Sequence, residues 1–255
     1  TNFDLEKLVD TSDQWISERT GIRERRIARE DECTSDMALV AARRALEMAR
    51  LAPSDLDMIV VGTITGDMPM PSCAAFLQSK LGITDVPAFD VSAACAGFLY
   101  ALSIGDQFIR SGMHRHVLVV GAELLSRVLD WQDRTTCVLF GDAAGAVVLG
   151  PAEDDGRGVL STRLYTDSTL VESLCIRAGG SKERITPAAI DKKRDLVFMQ
   201  GQDIFKVAVK NLTRASATAL SDARLTASDV RWVVPYQANL RIIAQVSQRF
   251  DIPRD

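Results

Sequence analysis

Residues 87–98 read PAFDVSAACAGF, an apolar stretch that runs into small residues around a single cysteine and then into a new periodic segment. Phe89 and Val91 have the character of a buried strand. Ala93, Ala94, Ala96 and Gly97 leave room for a sharp turn from strand to helix, with a substrate lying close. Gly97 to Arg110 then reads as helix. A cysteine at such a turn sits near the positive end of the helix dipole and the N–H groups of the first turn, which favour thiolate over thiol. Cys95 is therefore a candidate nucleophile, expected at the floor of a channel and expected to be the reactive thiol of the chain. The same small residues also suit a plain helix packed on a sheet, and a free cysteine is often inert core.

Outward from this turn the pattern is strand, helix, strand, helix. Asp4 to Arg19 reads as helix in two pieces, with Asp10 to Asp13 as a capping cluster and Gly21 as the break. Arg23 to Glu32 is dense in both signs of charge and reads as a solvated loop. A helix capped at Thr34, Ser35 or Asp36 runs to Arg50, with Met37, Val40, Ala41 and Ala45 expected on its buried face. Pro53 to Asp55 is a turn that delivers Met58 to Thr63 as an apolar strand. A short helix follows between Ser72 and Gly82, and the helix after Cys95 closes at Gly112. Val117 to Gly121 and Ala144 to Leu149 read as further buried strands. Continuous apolar strands alternating with helices signify a mostly parallel sheet covered on both faces, so the class is α/β.

Composition bounds the function. The chain has 255 residues, 47% hydrophobic and 25% charged, with a net charge of −4, which gives no basis for a nucleic-acid partner. No apolar run reaches the roughly 20 residues of a membrane span. Asp142 interrupts the long run from Cys137 to Leu149, and Thr1 is not followed by a signal peptide. Cys33, Cys73, Cys95, Cys137 and Cys175 are odd in number and widely spaced. That argues against a disulfide framework or a metal site and for a reducing compartment, with the cytoplasm as the expectation. No G-x-G-x-x-G follows a strand, which weighs against a dinucleotide enzyme.

An internal repeat refines the architecture. Residues 51–61, LAPSDLDMIVV, match residues 225–235, LTASDVRWVVP, and Asp229 lies 174 residues after Asp55. Ala45-Leu46 falls on Ala219-Leu220 at the same offset. Two copies of a helix, turn and strand unit point to a duplicated α/β domain, with halves at 1–150 and 151–255. The second counterpart of Cys95 would fall beyond residue 255, so the second half is expected to be incomplete.

Four stretches then carry a family resemblance: DTSDQWISERTGIRERRIA at 10–28, DVSAACAGF at 90–98, RTTCVLFGDAAGAVVL at 134–149 and PYQANLRII at 235–243. In this order the chain resembles β-ketoacyl-acyl-carrier-protein synthase III, a thiolase-fold condensing enzyme of fatty acid or related polyketide biosynthesis. The resemblance implies a five-layer αβαβα fold, a homodimer, and a cysteine, here Cys95, that takes an acyl group from acyl-CoA and condenses it with malonyl-carrier protein. CoA enters as a thioester substrate, with no separate cofactor. Trp15 and Arg134 match residues that sandwich the CoA adenine, Thr11, Asn239 and Arg241 match CoA-channel contacts, and Phe205 and Ala208 match the channel wall. Met70 falls where a residue crosses the dimer interface and closes the partner's acyl pocket. Lys206, Arg241 and Arg249 are the expected docking cations for the acidic carrier protein. Read from the residues alone, Trp15 also suits a staple on its helix and Phe205 plain core.

The chief departure is Tyr236, where the family pattern has histidine in Pro-His-Gln-Ala-Asn. The resemblance implies that this histidine donates to the malonyl thioester oxygen during decarboxylation. A phenol also donates, but it is larger, neutral near pH 7 and a poor base. His114 and His116 are the chain's only histidines; they lie in the turn after Gly112 and do not replace it. Impaired condensation is one expectation. The alternative is a non-catalytic paralogue or CoA-binding dimer partner. Ala143, where glycine is usual, is a milder change.

Overall fold

The computed structural model describes residues 1–152 and 156–250. The chain divides into two compact units, one of residues 26–125 and 141–162, the other of residues 1–25, 126–140 and 163–255.

The first of these is an α/β layer structure. Strands β1 (Met58–Gly62), β2 (Ala88–Val91), β3 (Val117–Leu124) and β4 (Asp142–Leu149) form one sheet in the order β2-β1-β3-β4. The first three are parallel, and β4 runs antiparallel beside β3. Three helices cover it. Helices α3 (Thr34–Ala49) and α4 (Cys73–Leu81) pack Ala38, Ala42, Leu46 and Leu77 onto Ile59, Val61, Leu118 and Val120. Helix α5 (Gly97–Arg110) covers the other face, over Met58, Val60, Val117 and Val119. All five residues of β1 are buried because both faces of the strand are covered.

Two expectations here are corrected. The buried residues of α3 are Thr34, Ser35, Ala38, Ala42, Ala45 and Leu46, one position on from Met37 and Ala41, and Val40 is 51% exposed. Strand β4 is only half-buried, with Asp142 its one fully buried residue. It has a single hydrogen-bonded neighbour among the described residues, so it lacks the enclosure of β1.

The other unit is mainly helical. Helices α1 (Asn2–Leu5) and α2 (Asp13–Thr20) meet the 126–140 segment around Leu5, Ile16, Cys137 and Val138. Arg25, expected in a solvated loop, is half-buried instead. Its guanidinium donates to the Asn2 side chain and the Val138 carbonyl, both at 2.9 Å, and so ties these pieces together. A short ribbon of β5 (Leu174–Ile176) and β6 (Val197–Met199) flanks helix α6 (Pro187–Asp191). Helix α7 (Gly201–Asp222) packs on α8 (Leu240–Arg249) through Val209, Ile242 and Val246.

The repeat is written into the backbone as well as the letters. Arg50 and Arg224, the left-handed residues after α3 and after α7, have φ of 58° and 57°. Leu51 and Leu225 donate back to the carbonyls of Leu46 and Leu220 at 3.0 and 2.9 Å. Asp55 and Asp229 each accept the N–H three residues earlier, from Ala52 at 2.7 Å and Thr226 at 2.8 Å. The match stops at the strand. Residues 232–235, which the repeat predicts to copy β1, form no strand, and Trp232 and Val234 are 72% and 86% exposed. A strand exists only when a neighbour takes its ladder hydrogen bonds, and the described residues provide none for this segment.

Candidate active site

In the α/β unit the Cys95 turn is built by close approach of two glycines. Gly62, the last residue of β1, lies against Gly97, the first residue of α5. A Cβ on Gly62 would stand 2.7 Å from the Gly97 carbonyl oxygen and 2.8 Å from the Phe98 nitrogen. Gly62→Ala is therefore expected to lower stability by about 3 kcal/mol, the scale of an overpacked core, as read from a denaturant midpoint. Ala94 takes φ of 44°, a left-handed conformation that costs a residue with a Cβ about 1–3 kcal/mol and that recurs at functional turns.

Cys95 itself sits in the single turn Ala94–Ala96 and is exposed. This corrects the expectation of a thiol at a channel floor: Gly97, not Cys95, is the residue packed against the sheet, and the turn stands beyond the strand ends. No side chain caps the N-terminus of α5, and no acid occupies its first turn; this positive end lies two residues from the thiol. The buried thiols differ. Cys73 is pushed far up by burial, and by Asp67 and Asp90 nearby. Burial likewise raises Cys137. Met70, between β1 and α4, is 83% exposed. The two histidines have local partners: His114 stacks on Phe108, and the His116 ring lies 2.9 Å from the Asp55 carbonyl oxygen.

In the helical unit several of the nominated residues converge. Ser12 caps α2 by accepting the Trp15 N–H at 3.1 Å, which fixes the start of the helix that carries the indole. The Arg134 guanidinium lies 5.3 Å from the Trp15 ring centroid and donates to the Asp10 carbonyl at 2.7 Å. The Thr11 hydroxyl is buried with no hydrogen-bond partner among the described residues. The 5.3 Å between the Arg134 guanidinium and the Trp15 centroid is less than the about 7 Å that an inserted flat ring would need, twice a van der Waals contact. Arg19, which the sequence reading passed over, lies 4.5 Å from the same ring. Its i, i+4 spacing from Trp15 was the available signal.

Asn239 caps α8, its side chain accepting the Arg241 N–H at 2.9 Å. The next residue, Leu240, packs at Gly21, the left-handed C-cap of α2. Asn239 and Arg241 thus stand where the Trp15 helix ends. Tyr236 precedes them, 38% exposed. Phe205 and Ala208 pack into the α7–α8 core beside Val209 and Ile242, and Lys206, Arg241 and Arg249 are exposed.

This arrangement can be set beside known proteins. Residues 89–168 match the family model described as 3-oxoacyl-[acyl-carrier-protein (ACP)] synthase III, and residues 220–255 match its C-terminal counterpart. The β-ketoacyl-[acyl-carrier-protein] synthase III of Caldanaerobacter subterraneus subsp. tengcongensis is 49% identical over 255 residues, covering 100% of this chain and 77% of the relative. The chain belongs to the β-ketoacyl-acyl-carrier-protein synthase III family. It is accordingly an acyltransferase, a condensing enzyme of fatty acid biosynthesis. The synthase III of Geobacillus kaustophilus is 47% identical over 255 residues, covering 100% of this chain and 76% of that one.

Solved synthase III structures share the fold. That from Aquifex aeolicus VF5 superposes with a TM-score of 0.89 at 45% identity, covering 100% of this chain and 77% of that one. The priming β-ketosynthase of the R1128 polyketide pathway superposes at 0.87 with 37% identity, covering 100% and 75%. The fold is therefore thiolase-like, as the synthase III resemblance implied.

Proposed function

We propose that Cys95 takes an acyl group from acyl-CoA and delivers it to the carbanion formed from malonyl-carrier protein. The observation that carries this reading is an exposed thiol on a strained turn at an uncapped helix N-terminus. In the first step the Cys95 thiolate attacks the thioester carbonyl and the CoA thiolate leaves. In the second, malonyl-carrier protein loses carbon dioxide, its carbanion attacks the acyl-cysteine, and the Cys95 thiolate departs again. Trp15 and Arg134 open to clamp the adenine, with Thr11, Asn239 and Arg241 along the pantetheine arm. A guanidinium offers a flat cation and phosphate-directed donors together, which suits that task. Phe205 and Ala208 back the channel wall from the α7–α8 core. Tyr236 stands in for the family histidine and slows the second step.

The protein works as a cytoplasmic homodimer in which exposed Met70 closes the partner's acyl pocket, and residues 1–150 and 151–255 are its duplicated halves. Lys206, Arg241 and Arg249 form the docking rim for the acidic carrier protein. Arg241→Glu is expected to weaken carrier-protein binding by about 10-fold at low salt, with the difference shrinking as salt rises, because rim charges act through steered association. Equal affinities at low salt would remove Arg241 from the rim.

Iodoacetamide at near-neutral pH tests the nucleophile directly. Cys95 is expected to be labelled ahead of Cys33 and Cys175, and ahead of Cys73 and Cys137, whose burial holds them as thiols. Slower labelling of Cys95 than of these thiols would favour a non-catalytic CoA-binding paralogue.

A further inference from the structure

Glu123 is a largely buried carboxyl group that the reaction above does not use. It stands near the end of β3, across from Ala143 of β4, and burial pushes it above the usual carboxylate range against the pull of hydrogen bonds from Thr65, Ile64 and Thr63. Its carboxylate accepts the Ile64 N–H at 2.9 Å, the Thr63 hydroxyl at 3.3 Å and the Thr65 hydroxyl. The Thr65 hydroxyl accepts the Leu124 N–H at 2.8 Å in return, so the end of β3 and residues 63–65 are stitched from both sides. Burying a carboxylate is costly unless it is fully hydrogen-bonded, and here every bond is spent on one three-residue segment.

That segment directly follows Gly62, the residue on which Gly97 rests. The Thr63 N–H donates to the Val91 carbonyl at 3.3 Å, which holds the last residue of β2 just before the turn. Farther along the same connection, Asp67 accepts the Ser35 N–H at 2.9 Å. Asp90 accepts the N–H groups of Cys73 and Ala74 at 2.7 and 2.8 Å. These carboxylates secure the connection elsewhere, while Glu123 secures the stretch that touches the support of Cys95.

We propose that Glu123 is a positioning residue for the acyl-transfer step, fixing residues 63–65 so that Gly62 and Thr63 hold the Cys95 turn in its reactive geometry. The proposal rests on Cys95 being the nucleophile. Displacement of a reacting group by about 1 Å costs about 100-fold in rate. Single-turnover acylation by acetyl-CoA, followed by peptide mass, separates the two ideas.

In Glu123→Ala the maximal rate of Cys95 acylation is expected to fall about 10- to 100-fold. The half-saturating acetyl-CoA concentration should stay within about two-fold, because no nucleotide contact is altered. Glu123→Gln, which keeps the volume and one oxygen for the Ile64 N–H, should recover most of the loss. Thr65→Val, nearly isosteric, should lower the rate in the same direction and carries the test with Glu123→Gln if Glu123→Ala does not fold. Wild-type rates in Glu123→Ala and Thr65→Val, or parallel loss of rate and affinity, would overturn the positioning role alone. A wild-type protein that acylates no Cys95 would remove the nucleophile and this proposal with it.

Discussion

Replacing Cys95 with alanine is expected to reduce acyl transfer from acyl-CoA by about 10⁶-fold, to the uncatalysed background, because removal of a covalent nucleophile leaves no group to carry the intermediate. The substitution removes one sulfur from an exposed turn, and Gly97 rather than Cys95 packs on the sheet. Folding should therefore be unaffected, and CoA binding should persist, because the residues proposed to hold CoA are unchanged. Stopped assays with radiolabelled acyl-CoA, alongside a thermal melt, read both. Residual transfer above one part in about 10³ would show that another group accepts the acyl chain.

Tyr236→His is expected to raise condensation by about 100- to 1000-fold, equivalent to roughly 3–4 kcal/mol, while leaving acylation of Cys95 unchanged. The two half-reactions differ in what they ask of residue 236. Acylation needs a thiolate and donors for the first oxyanion, which a helix terminus and nearby backbone supply. Decarboxylation needs a donor aimed at the malonyl thioester oxygen, and the longer phenol is expected to set its hydroxyl off that point. Tyr236 sits three residues before Asn239, whose side chain caps α8. The comparison is made in a protein extended to the length of its relatives. Equal condensation rates for the tyrosine and histidine forms would show that the phenol is a competent donor.

The elements were legible where periodicity and capping agreed. The strand, turn and helix around Cys95, a cap within the Asp10 to Asp13 cluster and the break at Gly21 all stand where their residues place them. The face of α3 was read correctly at Ala45 and missed at Met37, Val40 and Ala41, because apart from Leu46 its buried positions are alanines and hydroxyl residues. Small side chains that allow close helix–sheet approach carry little hydrophobic signal, and shifting the face by one residue turns it by about 100°. Residues 232–235 have a β1-like sequence and no strand, since ladder bonds depend on a neighbour rather than on the segment itself.

The site was legible as motifs and not as geometry. Trp15 and Arg134 were identified as a pair, but the approach of the guanidinium to the indole, with Arg134 tied to Asp10, depends on side-chain conformations that a sequence does not display. Glu123 was invisible for a different reason. Within Val117–Leu124 it reads as the polar end of a strand, and only the structure brings Thr63, Ile64 and Thr65 to it from sixty residues away.

The central claim is that Cys95 accepts the acyl group. Incubation with acetyl-CoA, rapid acid quench, proteolysis and peptide mass spectrometry test it without a carrier protein or a complete second half-reaction. The account predicts one acetyl group per chain, carried on the peptide containing Cys95 and lost on treatment with hydroxylamine. Acetylation confined to other residues, or an unmodified Cys95 in protein that binds CoA, would contradict it.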